Sequence, residues 1–423
     1  KARQYDRRIF TRGVRPNVYA IQESNGIKRE QLKYFGAELD EMEKSAAILQ
    51  IEGLLDTLID AKEYGSILSV EEYDWDLLRR FVNSADIGSQ ISFDTYGLDE
   101  TAEKLKELIE IGAIMAQKYE VVATNPPYAA VSNLDVKASN FIKKNYSEHK
   151  ADLFAVFMHK CKMFTVRYGF FSMITMQSWM FLQSFEELRI EILEQSIVNL
   201  LKIGFNSFPE LNSQVAHACA FVIKKIKCEK YSSKFFDLNT GKVTDDKERV
   251  FLTKKEHQEY YIRKNTDFNF IPGIPIAFSF GKNFLKDFEQ KKMKDYAEVI
   301  TGMTTGNNTL FLRIWTEVNV KNTAIGISSF DEIDLNEKYW IPYSKGGERR
   351  NWYGNTDYLV NWSRKNEFNR SKTTLQHLYL RKAVTWPFIN TDTFSARFLP
   401  NGYLWDVAGS PCFFESDKIL KYC

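Results

Sequence analysis

Apolar residues recur at two periods along this chain, and the change from one to the other marks out its elements. Between Glu41 and Ile59 a strongly acidic stretch places Ala47, Ile48, Ile51, Leu54, Leu55, Leu58 and Ile59 on one face, which predicts an amphipathic helix. A second helical repeat through Leu105, Leu108, Ile109, Met115 and Ala116 runs into the apolar run Val121-Val122-Ala123, the mark of a buried strand. Downstream the two periods alternate: helix over 152–164, strand over 170–176, helix over 184–195, strands over 197–203 and 216–224. Ser184, with Glu187 three residues on, reads as the cap of the second of these helices. The order predicts an α/β fold, the second half of a doubly wound sheet over 91–225, with residues 1–90 as a helical segment and insertion.

From residue 226 the chain becomes polar with scattered aromatics, and 226–294 reads as a connecting segment with a hairpin at Asn239-Thr240-Gly241. A new, mixed α+β domain is expected from 295 to 423.

The most informative residues follow the first strand. Asn125-Pro126-Pro127-Tyr128 delivers an amide and an aromatic ring to the end of the sheet, where ligands of open α/β folds bind. Such a set suits an exocyclic amine on a nucleobase, whose lone pair is delocalised into the ring. Two acceptors, the Asn125 side-chain oxygen and the Pro126 carbonyl, could draw its hydrogens out of plane, while Tyr128 stacks on a base swung out of the duplex. The two prolines stiffen the loop. Pro-Pro after a strand is also ordinary turn punctuation, so the tetrapeptide needs its structural context.

Gln177 and Trp179, beyond the next strand, could line the same pocket, although Trp179 serves equally as a core aromatic. Asp152 reads more readily as a helix cap than as a base. The loop Phe205 to Gln214 is long enough to reach DNA or a flipped base.

Composition narrows the class. The 423 residues are 44% hydrophobic without a long apolar run, as for a globular cytoplasmic protein with no membrane partner. Cys161, Cys219, Cys228, Cys412 and Cys423 are odd in number and form no C-x-x-C pair, so reduced thiols are expected rather than a disulfide frame or a zinc site. The five histidines form no H-E-x-x-H pattern, and no metal site is expected. Net charge is only +2, but residues 37–110 carry 19 acidic and 6 basic side chains, which leaves +15 on the remainder. That remainder suits a phosphate backbone. Residues 338–397 hold 11 basic and 4 acidic side chains interleaved with aromatics such as Trp340, Trp352, Trp362 and Phe394, with Lys345, Arg349 and Arg350 in one cluster.

Asn125 to Tyr128 matches the catalytic motif of N6-adenine DNA methyltransferases. Together with the segments Lys1–Arg12 (KARQYDRRIFTR), Lys150–Cys161 (KADLFAVFMHKC), Ile174–Arg189 (ITMQSWMFLQSFEELR) and Phe394–Ser410 (FSARFLPNGYLWDVAGS), it makes nearly the whole chain resemble the large adenine methyltransferases of BREX phage-defence systems. The resemblance implies S-adenosylmethionine as donor, adenine in double-stranded DNA as target, and other phage-defence proteins as further partners. It implies that Phe154 or Phe157 helps hold the flipped base or the donor. Gly302 to Arg313 resembles the start of the target-recognition domain of type I and type IIG enzymes, which places Thr304, Thr305, Asn307 and Asn308 near DNA. The chain has no G-x-G, the turn that cradles the donor in this family, and it is expected to begin past that turn, to bind the donor weakly and to leave an unpaired edge beside the motif strand. A type IIG enzyme with a fused nuclease and a non-catalytic DNA-recognition protein are the competing readings.

Overall fold

The computed structural model describes residues 16–84, 96–205, 207, 217–239, 246–389 and 394–420. The chain divides into two units, 1–287 and 288–423. Residues 226–287 do not merely connect. They add two strands and their packing residues to the first unit.

The first unit opens with helix α1 (Glu41–Thr57), capped by the Asp40 side chain on the Glu43 N–H. Its face of Ala47, Ile51, Leu54 and Leu55 is buried, as the sequence period requires; Ile59 lies past the helix end and is exposed. Helices α2 (Trp75–Asn83) and α3 (Leu98–Ala116) complete this layer, closing over Phe35, Leu78, Phe81, Leu105 and Leu108. The acidic side chains fall on the outer surface of the bundle, where Arg79 and Arg80 meet Glu110 and Glu43.

The sheet that follows has six strands: β1 (Tyr119–Thr124), β2 (Thr165–Met176), β3 (Ser196–Gly204), β4 (Ala218–Lys224), β5 (Ser233–Asp237) and β6 (Tyr261–Arg263). Their order is β1-β2-β4-β3-β5-β6, with β1/β2 and β3/β5 parallel and the other neighbours antiparallel. This is a partial doubly wound sheet joined to an antiparallel flank. Among the described residues β1 pairs with β2 alone, and Val121 on it is exposed. Strand β2 begins five residues before its expected start, because the register against β1 shifts between Tyr119 and Val121 and Gly169 comes up against the Glu120 carbonyl, where a Cβ would sit 2.7 Å from that oxygen.

Helices α4 (Val136–Asn145), α5 (Leu153–Phe164) and α6 (Glu186–Leu193) pack around the sheet. Ser184 does not cap α6: a 3₁₀ turn at Gln183–Phe185 precedes it and Phe185 occupies the cap position without a side-chain bond. The buried Arg189 staples this region, donating from Nη1 to the carbonyls of Trp179 (2.8 Å) and Leu182 (2.7 Å) and from Nε to that of Gly273 (2.9 Å). Thr240 and Gly241 of the expected hairpin lie outside the described residues. A helix over Lys247–Glu256 comes next, and the antiparallel partner of β5 is β6.

The second unit holds two four-stranded sheets. One runs Leu404–Trp405, Trp340–Ser344, Tyr358–Asn361, Leu312–Ile314; the other runs Arg397–Leu399, Ala383–Thr385, Pro411–Phe414, Ala297–Val299. Trp362, Tyr343, Tyr379 and Trp405 fill its core. Among the described residues no helix is long and apolar enough to cross a membrane.

Candidate functional site

Strands β1 and β2 run parallel, so both carry their following loops to the same end of the sheet. Asn125 to Tyr128 leaves β1 there, and Gln177 leaves β2 beside it. Within the motif Pro126 is buried, Asn125 and Pro127 are exposed and Tyr128 is half-buried. The Tyr128 hydroxyl donates to the Asn125 Oδ1 at 3.1 Å. Burial raises the phenol to about 12, with a smaller contribution from Cys219, so at neutral pH it is a donor.

Asp152 fixes the loop. Its Oδ1 accepts from the Phe154 N–H at 3.1 Å, capping α5, and from the Ala129 N–H at 3.3 Å, directly after the motif. The Leu153 N–H returns a 2.9 Å bond to the Ala129 carbonyl. Sequence reasoning found the cap but not the second bond, which joins residues 23 apart and leaves no local pattern.

The three residues expected to line a base pocket separate. Trp179 is fully buried, its ring edge-on to Phe221 at 5.6 Å and its indole N–H directed to Thr175 Oγ1 and Cys219 Sγ, so it belongs to the core beneath the site. Phe154 is also buried, 6.5 Å from Tyr128 and perpendicular to it, and backs the tyrosine ring rather than facing a ligand. Gln177 is partly buried just past the end of β2. Its Nε2 lies 3.3 Å from His217 Nδ1, and among the described residues its Oε1 has no hydrogen-bond partner. A buried amide oxygen without a donor carries a desolvation cost that a ligand N–H would relieve. Of the Phe205 to Gln214 loop, only Phe205 and Ser207 fall within the described residues.

A carboxylate shared by two imidazoles was missed. Glu191 on α6 meets His149 Nε2 at 2.6 Å, His159 Nδ1 at 3.0 Å and Lys162 Nζ at 2.8 Å. Burial alone would raise this carboxyl, but the three hydrogen bonds outweigh it and hold the acid well below its usual range. His149, His159 and Glu191 could offer ligand atoms to a metal ion, all within 4.8 Å of one another. The Lys162 ammonium already supplies positive charge to that carboxylate.

In the second unit the expected DNA residues also sort by environment. Thr304 is bridged to Arg370 through its backbone, Thr305 is buried with its hydroxyl on Asn308 Oδ1 at 2.8 Å, and Asn307 caps a short helix through the Leu310 N–H. Lys345 gives its ammonium to the buried Asp406 at 2.6 Å, an internal ion pair that also takes the Tyr343 hydroxyl at 2.7 Å. Arg349 and Arg350 are exposed. Asn308 and Lys345 do come together, on the lining of a cavity of about 410 Å³ that also includes Arg313 and Tyr358. Of the aromatics between 338 and 397, Tyr343, Trp362 and Tyr379 are core, whereas Trp352, Phe388 and Phe394 are each at least 70% exposed.

The Eco57I restriction-modification methylase family matches residues 33–208, the span that contains the motif, α5 and strands β1 to β3. Over 441 residues the chain is 31% identical to the adenine-specific methyltransferase PglX of Lacticaseibacillus casei (strain Zhang), covering 100% of this chain and 36% of that protein. The chain is similar to that adenine-specific methyltransferase along its own length, and to the methylase family over residues 33–208. A second relative, the adenine-specific methyltransferase BrxX of Escherichia coli O9:H4 (strain HS), is 31% identical over 450 residues, 99% of this chain and 36% of that one. The chain thus spans about a third of the length of the curated relatives it matches. Among solved structures, the type IIL restriction-modification enzyme MmeI in complex with DNA aligns with 90% of this chain and 56% of its own, at 10% identity and a TM-score of 0.46.

Proposed function

We propose that this chain carries the base-holding part of an adenine N6-methyltransferase acting on double-stranded DNA. The observation that carries the reading is the placement of Asn125 to Tyr128 at the carboxyl end of β1, with Gln177 leaving the neighbouring parallel strand. Asn125 Oδ1 and the Pro126 carbonyl would accept the two hydrogens of the adenine amine, turning its lone pair toward the incoming methyl group. The Tyr128 ring would stack on the flipped base, held from behind by Phe154. Gln177 Oε1, which has no partner among the described residues, would accept a further hydrogen bond.

S-adenosylmethionine would supply the methyl group. The chain's own residues at the motif would seat, orient and stack the acceptor. A separate base is not required, because the nitrogen becomes acidic once methylated. Asp152, occupied by two backbone N–H groups, would keep the loop in place.

The second unit would choose the sequence, with Arg349 and Arg350 on phosphate or base edges and the Asn308–Lys345 cavity as a further contact. Marking of host DNA in phage defence is the biological role this reading supports, in the cytoplasm. The test is transfer of labelled methyl to mixed-sequence duplex by the parent protein, comparing wild type with Asn125→Ala. Label on the adenine amino nitrogen that vanishes in the variant supports the reading; absence of label while duplex still binds favours a recognition protein without catalysis.

A further inference from the structure

A second cavity lies within the first unit, away from the motif loop. It measures about 580 Å³, a size suited to a small organic ligand, and lies between the end of α1 with the segment after it and helices α4 and α5. Its two acidic side chains are already neutralised: Asp56 pairs with Arg29, and Asp60 with Lys137 and the Asn25 amide.

Lys160 on α5 is different. Its side chain is only 4% exposed, yet its ammonium has a single neutral acceptor, the Ser69 hydroxyl at 2.9 Å, and lies over the Phe164 ring at 4.8 Å. No carboxylate comes within ion-pair range among the described residues, and the nearby charge is the like charge of Lys118. Burial, with Lys118 adding to it, lowers this amine to about 8. A buried cation without a counter-charge is costly, and a lysine is otherwise rarely buried unless paired. The two N–H groups left over have the cavity as their outlet.

Two neighbours extend the site. His159, one residue before Lys160, also lines the cavity; its Nδ1 is taken by Glu191, which leaves Nε2 for a ligand. On another side Tyr64 and Phe141 stack with ring centres 4.3 Å apart and present an aromatic wall.

We propose that this cavity binds a small phosphate-bearing ligand of nucleotide size, with its phosphate on the Lys160 ammonium and its ring against Tyr64 and Phe141. The site is independent of base holding at Asn125, and nothing in the inference requires methyl transfer.

The experiment is titration calorimetry on the full chain with inorganic phosphate, uridine and uridine 5′-phosphate, a nucleotide whose base differs from the adenine that the motif would hold. Expected is saturable one-to-one binding of uridine 5′-phosphate, competed by phosphate and weakened about tenfold or more for uridine, the factor that loss of one charge-assisted contact gives. Lys160→Met should weaken the nucleotide about tenfold or more as well, whereas Asn125→Ala should leave it unchanged. Ser69 is exposed, so Ser69→Glu can place a carboxylate beside the ammonium without disturbing the core; it should abolish binding while keeping the melting temperature, and it carries the test should Lys160→Met fail to fold. Absence of saturable binding at millimolar phosphate and nucleotide, or wild-type affinity in the folded Lys160→Met or Ser69→Glu protein, overturns the proposal. Competition by a short DNA duplex would overturn it too, by assigning the ammonium to a DNA phosphate.

Discussion

The Tyr128 hydroxyl donates to the same Asn125 oxygen that would receive the target amine, at 3.1 Å. That bond uses one of the oxygen's two lone pairs, so an amine hydrogen would share the acceptor with the phenol. The ring and the hydroxyl make opposite contributions. Tyr128→Phe keeps the stacking face and frees the acceptor, so methylation by the parent protein should stay within about threefold of wild type. Tyr128→Ala removes a stacking surface worth about 1–3 kcal/mol, a loss of roughly tenfold to a hundredfold in kcat/KM. Equal losses in both variants would make the hydroxyl, not the ring, the functional group.

Asp152 should reveal itself through stability. Burial raises its carboxyl, while the N–H groups of Phe154, Ala129 and Leu153 pull the other way. A folded pKa above the unfolded one means that this group's contribution is fully present below the unfolded value and is lost as pH rises through the folded value. Asp152→Asn keeps an acceptor oxygen and loses that titration, so its melting temperature relative to wild type should improve between mildly acidic and neutral pH. Asp152→Ala loses the cap and should cost about 1 kcal/mol at either pH. Thermal unfolding of the three proteins at two pH values distinguishes these outcomes.

Glu191 has the opposite sign. Its folded pKa is depressed, so its stabilisation is present above the unfolded carboxylate value and lost as pH falls through the folded one. Glu191→Gln leaves His149, His159 and Lys162 around a neutral amide and should cost about 3 kcal/mol near neutral pH. The gap to wild type should close progressively in acid. A constant gap in urea melts at every pH would show that the side chain acts by packing rather than charge.

Lys345 and Arg350 look interchangeable in sequence and should separate in the test tube. Lys345→Ala strands the buried Asp406 carboxylate and should destabilise the second unit by about 3 kcal/mol, with loss of DNA binding following from loss of fold. Arg350→Ala should leave thermal unfolding unchanged and reduce the slope of log affinity against log salt by about 1, the signature of one lost phosphate contact. An unchanged slope would remove Arg350 from the interface.

Trp179 is assigned here to the core. Trp179→Phe should be nearly neutral for base binding, while Trp179→Ala should cost about 3–5 kcal/mol of stability through the cavity it leaves. A selective loss of adenine binding by a stable Trp179→Phe protein would return it to the pocket.

Local pattern determined much of this molecule. The face of Ala47, Ile51, Leu54 and Leu55, the strand before Asn125, the Asp152 cap and the alternation that builds the β1 to β4 part of the sheet all follow from 3.6-residue and 2-residue periods and from cap chemistry, which act over a few neighbours. The motif tetrapeptide and its position after a strand were legible for the same reason. Tertiary structure decided what depends on residues far apart in sequence. It sent Trp179 and Phe154 inward and left Gln177 at the site, spent Lys345 on Asp406 61 residues away, tied Asp152 to Ala129, and left Lys160 buried beside Ser69 with no counter-charge among the described residues. The sequence specifies which side chains are polar or aromatic, but burial and pairing are set by what packs against them, and that partner is fixed only when the chain has folded.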